Sequence, residues 1–120
     1  MGYFSHAQNS IIMDLNESHD QLNAGMSKEQ RKHLRFAERK GVNIKEFRGY
    51  ESITTRLFDT YQSAHIKSAG KMTRPQASFD LMLDLLVREK ATLFVAAVAD
   101  EPISFLYCGQ FQNSAYGWSQ

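Results

Sequence analysis

Arg74 ends the loop-like segment KMTR, one residue before Pro75 and the amphipathic stretch QASFDLMLDLLV. A planar guanidinium at a loop-to-helix junction can fork onto a phosphate or carboxylate, a bidentate geometry that lysine cannot offer. Its ordinary alternative is a surface pair with a nearby carboxylate. Tyr116, in AYGWSQ, carries a phenol able to bond a carbonyl or phosphate oxygen. Trp118 alternates with it, so the two are expected on one side of a strand; cross-strand or core packing is the ordinary alternative. A third group is cationic. Lys28, Arg31, Lys32, Arg35, Arg39 and Lys40 stand against Glu29 and Glu38, a local excess of four positive charges. Arg31, Arg35 and Arg39 lie four apart and share a helical face, and Lys28 with Lys32 shares another. Such a helix suits a phosphate-rich acceptor, a transfer RNA or an anionic membrane surface, or is simply a solvated face.

Other chemistries find no support. His6, His19, His33 and His65 are dispersed, and none has Cys or carboxylate partners at metal-ligand spacing, so no metal is expected. No Ser-His-Asp signature is visible, and the catalytic base stays unassigned. His65 falls near an apolar helical face, where a satisfied structural histidine is the ordinary reading. Asp80 and Asp84, four apart, read as solubilising charges on an outer face. Cys108 is the single cysteine and cannot close an internal disulfide, which fits a reducing cytoplasm. Within the apolar run ISFLYCGQF it reads as a buried structural thiol.

The elements that must position these residues follow from pattern. With 120 residues, 42% hydrophobic and 22% charged, the chain has an ordinary globular composition, and a net charge of +1 points to no partner. No run approaches the roughly 20 apolar residues that span a bilayer, and the N-terminus lacks the pattern of a signal peptide. SIIMDL (10–15) reads as a strand and NESHDQLNAGM as a capped short helix. Ser27 with Gln30 forms a capping box opening a helix over 27–40, with Leu34 and Ala37 inward and Gly41 as its stop. VNIKEF alternates as a half-buried strand. Ile53, Leu57, Tyr61 and Ala64, with Phe58 and His65 beside them, mark a helix closed by Gly70. Phe79, Met82, Leu83, Leu86 and Val87 form the apolar face of a second. Three strands then follow, TLFVAAVA, ISFLYCGQF and AYGWSQ, joined by turns at 100–102 and 112–114. The fold class expected is α+β, helices packed on an antiparallel strand meander.

From Val42 the order strand, helix, helix, strand, strand, strand resembles the first half of the GNAT (acyl-CoA N-acyltransferase) fold. RKHLRFAERKGVNI, LFDTYQSAH, GKMTRPQASFDLMLDLL and ATLFVAAVADEPISFLY, in that order, resemble the second acyltransferase domain of the FemAB/FemX-like peptidyltransferase family, and AYGWSQ looks like its tyrosine-glycine strand.

The resemblance implies transfer of an acyl or aminoacyl group onto an amine of a cell-wall or exopolysaccharide precursor, with acyl-CoA or aminoacyl-tRNA as donor. It implies that Arg74 contacts the phosphate part of the acceptor, that Tyr116 and Trp118 line the cleft, and that Lys32, Arg35 and Arg39 attract the substrate. The family's aromatic residue after the arginine has its nearest counterpart in Phe79, which lacks a hydroxyl. No glycine-rich phosphate loop occurs, so the chain is expected to be a fragment, inactive alone and without its own cofactor site. Residues 1–26 then form a linker with the last strand of a preceding domain, and 27–120 a partial domain whose final strand is an open edge prone to self-association. The alternative is a non-catalytic module whose basic helix docks on nucleic acid or an acidic partner.

Overall fold

The computed structural model describes residues 12–119, and side chains through Gly117. The chain divides into two compact units, Met1–Phe36 and Ala37–Gln120, with the boundary inside a helix.

In the first unit, α1 (His19–Gly25) opens on Ser18, whose hydroxyl accepts from the Gln21 N–H while the Gln21 side chain accepts from the Ser18 N–H. α2 (Lys28–Arg39) opens on the same device: the Gln30 N–H donates to Ser27 Oγ at 3.1 Å and the Ser27 N–H to Gln30 Oε1 at 3.4 Å. Two orphan donors are satisfied at each start. Gly41, at φ +77°, closes α2, with its N–H on the Glu38 carbonyl and the Val42 N–H on that of Ala37, a Schellman closure.

Two expectations fail in this region. Ser10 and Ile11 lie outside the described residues, and Ile12 to Leu15 form no strand; Ile12, Met13 and Leu15 are exposed. A strand needs a ladder partner, and every described strand belongs to one sheet in the second unit. Leu34 is not inward either: it is 47% exposed, Ala37 only half-buried, and α2 buries no residue. Alternation of charge and isolated apolar residues imitates amphipathicity without supplying a broad apolar face.

The second unit is mixed helix and sheet, as expected. β1 (Asn43–Phe47), β2 (Ala91–Val98), β3 (Glu101–Phe111) and β4 (Ser114–Ser119) form one antiparallel sheet in sequential order. Between β1 and β2 run α3 (Ser52–Ala69) and α4 (Gln76–Val87). Phe58 and Tyr61 of α3 and Phe79, Met82 and Leu86 of α4 pack with Leu93, Val95, Phe105 and Tyr107 of the sheet in one buried cluster. The aromatics interlock: Tyr61 stacks on Tyr107 with centroids 6.3 Å apart and meets Phe105 edge-on at 6.0 Å. The Tyr107 hydroxyl donates to the Met82 carbonyl at 2.7 Å and so joins sheet to helix through a buried bond.

The inward stripe of α3 is Thr54, Phe58 and Tyr61; Ile53 is 37% exposed, Ala64 exposed and Leu57 half-buried. Tyr61 thus keeps its expected inward place, Thr54 and Phe58 stand inward where Ile53 and Leu57 were expected, and Leu57 packs at the edge of the core. The first hairpin turns at Ala99 and Asp100, with φ of 50° and 64°, not at 100–102. Two successive positive φ values match the twist of a two-residue hairpin. Pro102 lies within β3, opposite Ala97 at a register shift, where a missing N–H is tolerated. Cys108 is half-buried, not buried: it faces away from α3 and α4, opposite Thr92 and Gly117. Burial nonetheless pushes its thiol pKa up.

Candidate functional site

α4 carries the first candidate at its start. Pro75 presets the N-terminal turn and forces Arg74 out of helical conformation. No side chain caps this helix. The Arg74 guanidinium lies 6.0 Å from the Phe79 ring centroid and donates to Met82 Sδ at 3.4 Å, a weak acceptor. Arg74 takes part in none of the ion pairs between described residues. The surface carboxylate pair is therefore not what holds it; its stem packs on the helix while it lines a cavity of about 370 Å³ with Ser78, Leu81 and Met82.

Behind it stands a small polar cluster. His65 Nε2 and Thr73 Oγ1 are 3.0 Å apart, and the imidazole meets Phe79 edge-on at 5.8 Å. Gln62 donates to Gln76, which donates to Asp80. These contacts tie the loop to both helices, giving His65 the structural place its spacing suggested. Among the described residues no three His, Cys, Asp or Glu side chains converge.

Tyr116 sits in a second cavity, of about 460 Å³, with Leu85, Lys90, Gly109, Gln110, Phe111 and Gly117. Its position follows from register. Gly109 alternates with Phe105 and Tyr107 on the helix-covered face of β3, and Tyr116 is directly opposite Gly109, so the phenol shares that face. Gly109 has no side chain, which leaves the space open. Tyr116 and Phe111 are 58% and 67% exposed because α4 covers β2 and the inner part of β3 but not the outer hairpin.

Lys90 is held in place by its backbone. Glu89, at φ +62°, takes the left-handed position that glycine ordinarily fills, and the Lys90 N–H then reaches the Leu85 carbonyl at 2.8 Å. The Lys90 carbonyl accepts from the Gln110 N–H at 2.8 Å.

Arg74 and Tyr116 thus do not meet in one cavity. Ser78, Leu81 and Leu85 form one stripe of α4, with Arg74 at its start and Lys90 past its end, about 18 Å of helix between. The two cavities are separate and share no lining residue: one lies beside Arg74 at the start of α4, and the other is a groove between the end of α4 and the β3–β4 hairpin, with Lys90 and Tyr116 in its wall. Sequence reading missed Lys90 and Phe111. Phe111 was accessible by parity with Phe105, Tyr107 and Gly109; Lys90 was not, because only the left-handed turn at Glu89 aims the chain there.

The side chain of Trp118 lies outside the described residues. The backbone register between β3 and β4 shifts from Cys108 opposite Gly117 to Tyr107 opposite Ser119, so strict alternation from Tyr116 does not carry across. Lys32 and Arg35 belong to the first unit, Arg39 is the last residue of α2, and all three are exposed. No protein-family model matches this chain, and no curated protein matches it. No helix of the described residues is long and apolar enough to cross a membrane.

Proposed function

We propose that the second unit is the acceptor-binding half of an N-acyltransferase, on the first half of a GNAT-like fold and similar to the FemAB/FemX-like enzymes. The observation that carries the reading is the pair of cavities flanking α4, one beside Arg74 and one between α4 and the β3–β4 hairpin at Tyr116, in a unit of strand-helix-helix-strand-strand-strand order. A phosphorylated glycan or peptide precursor is elongated, amphipathic and anionic, and the two cavities offer it apolar walls, with Arg74 as counter-charge in one and Lys90 in the other.

In this reading Arg74 forks onto a phosphate or carboxylate of the acceptor, and Tyr116 bonds a carbonyl or phosphate oxygen farther along. Positioning of this kind is the main contribution a protein makes when the attacking group is already an amine. The register shift in β4 adds a second element. A bulge leaves one residue out of the regular ladder, and a backbone N–H released in this way is the type of donor that stabilises a developing oxyanion. Acyl-CoA or aminoacyl-tRNA would be the donor, in a cytoplasmic setting. Among the described residues no glycine-rich turn meets a helix N-terminus to take a pyrophosphate, so the donor is not assigned to these residues.

The test has two parts. Titrating the 120-residue chain with a nucleotide-linked amino sugar should shift the amide resonances of Arg74, Leu81, Leu85 and Tyr116. In an enzyme that also carries a donor site, Arg74→Ala should lower kcat/KM for the acceptor about tenfold or more, with donor use unchanged. Kinetics indifferent to Arg74 would remove it from the site.

A further inference from the structure

The helix α2 has a charge pattern that its own fold does not use. At 3.6 residues per turn, Lys28, Arg31, Lys32 and Arg35 fall within an arc of about 100°, so they form one stripe of the first unit. Reading them as two separate faces was too fine. Arg31 is partly engaged, donating to the carbonyls of Asn23 and Ala24 at 3.4 and 3.1 Å, which pins the turn between α1 and α2. Lys28, Lys32 and Arg35 are exposed and enter no ion pair between described residues. Glu29 lies 3.7 Å from His33, on the side of the helix away from the stripe.

Holding these cations together costs stability. Lys28 with Lys32 and Arg31 with Arg35 are like-charge pairs at i,i+4, which disfavour the helix. α2 buries no residue that would offset this. Its exposed apolar residues, Leu34 and Phe36, project about 160° apart and do not form the single apolar face with which an interfacial helix enters a bilayer. A closely spaced cationic row without an apolar face is instead matched to a regular line of phosphates.

We propose that the Lys28–Arg31–Lys32–Arg35 stripe binds the phosphodiester backbone of a nucleic acid, independently of base sequence. This inference does not rest on the transferase reading. Three to four phosphate contacts give modest affinity that falls steeply with salt, with a slope of about −0.9 per contact on a duplex and about −0.7 on a single strand.

The experiment is fluorescence anisotropy of the full 120-residue chain with a 20-base-pair mixed-sequence RNA duplex, the matching DNA duplex and a single-stranded RNA, at several salt concentrations. Vesicles of phosphatidylserine and phosphatidylcholine serve as the competing anionic surface. Lys32→Glu with Arg35→Glu should weaken nucleic-acid binding at least tenfold at low salt and flatten the salt slope by about two contacts. Lys67→Glu with Lys71→Glu, the same change of charge on exposed lysines of the second unit, should leave both within about twofold. Circular dichroism of both double variants verifies that helix content is kept; if the first loses helix, Lys32→Gln with Arg35→Gln takes its place. Equal binding of the three nucleic acids, or preference for one, supports the proposal and identifies the source of the backbone. Binding confined to vesicles, equal losses in both double variants, or no salt-sensitive binding overturns it.

Discussion

Tyr107 shows how one residue joins sheet, helix and pH response. Its ring is fully buried between Phe58 and Tyr61, and its hydroxyl donates to the Met82 carbonyl. Burial raises the phenol pKa well above its ordinary value, and the neighbouring Tyr61 adds to the shift. The unfolded tyrosine ionises near 10 while the folded one still holds its proton. Stability from this group is therefore complete below about pH 10 and declines above it, at up to about 1.4 kcal/mol per pH unit. Tyr107→Phe should cost about 1 kcal/mol at neutral pH, because it removes the buried hydrogen bond to the Met82 carbonyl, and should make the loss of stability above pH 10 shallower. Urea titrations at pH 7, 9.5 and 10.5 measure both effects; parallel pH profiles for the two proteins would contradict the assignment.

At the scale of elements, the two edges of the sheet differ. β1 carries Lys45 and Glu46, charges of the kind that discourage pairing with another chain. β4, SAYGWS, carries no charge and no proline, and it pairs with β3 alone. Exposed Phe111 and Tyr116 lie beside that edge. β4 is therefore where a second copy of the chain would add to the sheet. Sedimentation velocity should show association that grows with concentration, and Ala115→Lys should reduce it without changing the unfolding midpoint by more than about 0.5 kcal/mol. Association unchanged by the lysine would place the contact elsewhere. The element spans follow from local signals, since caps at Ser18 and Ser27 and the glycines at 41 and 70 end or open helices in the expected places. Which of Leu57 and Phe58 goes deepest had no such signal, because both are apolar and adjacent.

For the whole molecule, every buried residue described lies between Thr54 and Gly109. Stability should accordingly reside in the second unit, with α1 and α2 contributing little to a cooperative core. A chain beginning at Lys40 should keep a single cooperative transition, with a melting temperature within about 5 °C of the parent, which corresponds to roughly 1 kcal/mol for a unit of this size. Loss of cooperativity on that truncation would show that the first unit supports the sheet. The same truncation should abolish nucleic-acid binding while leaving the α4–β4 groove, so the two proposals separate along the chain.

The amino-acid sequence alone determined the order of elements from Ser18 onward and the α+β class, because caps, glycine stops and hydrophobic periods act within a few residues. It also determined where the cations of α2 and the Arg74–Pro75 junction lie along the chain. Tertiary structure decided which of those residues share a cavity. Arg74 and Tyr116 are 42 positions apart in the sequence, and their relation depends on how far α4 reaches across the sheet and on the β3–β4 register. Lys90 enters the groove through a left-handed residue that is not glycine. Such placements rest on contacts summed over the whole core, and no local pattern encodes that sum.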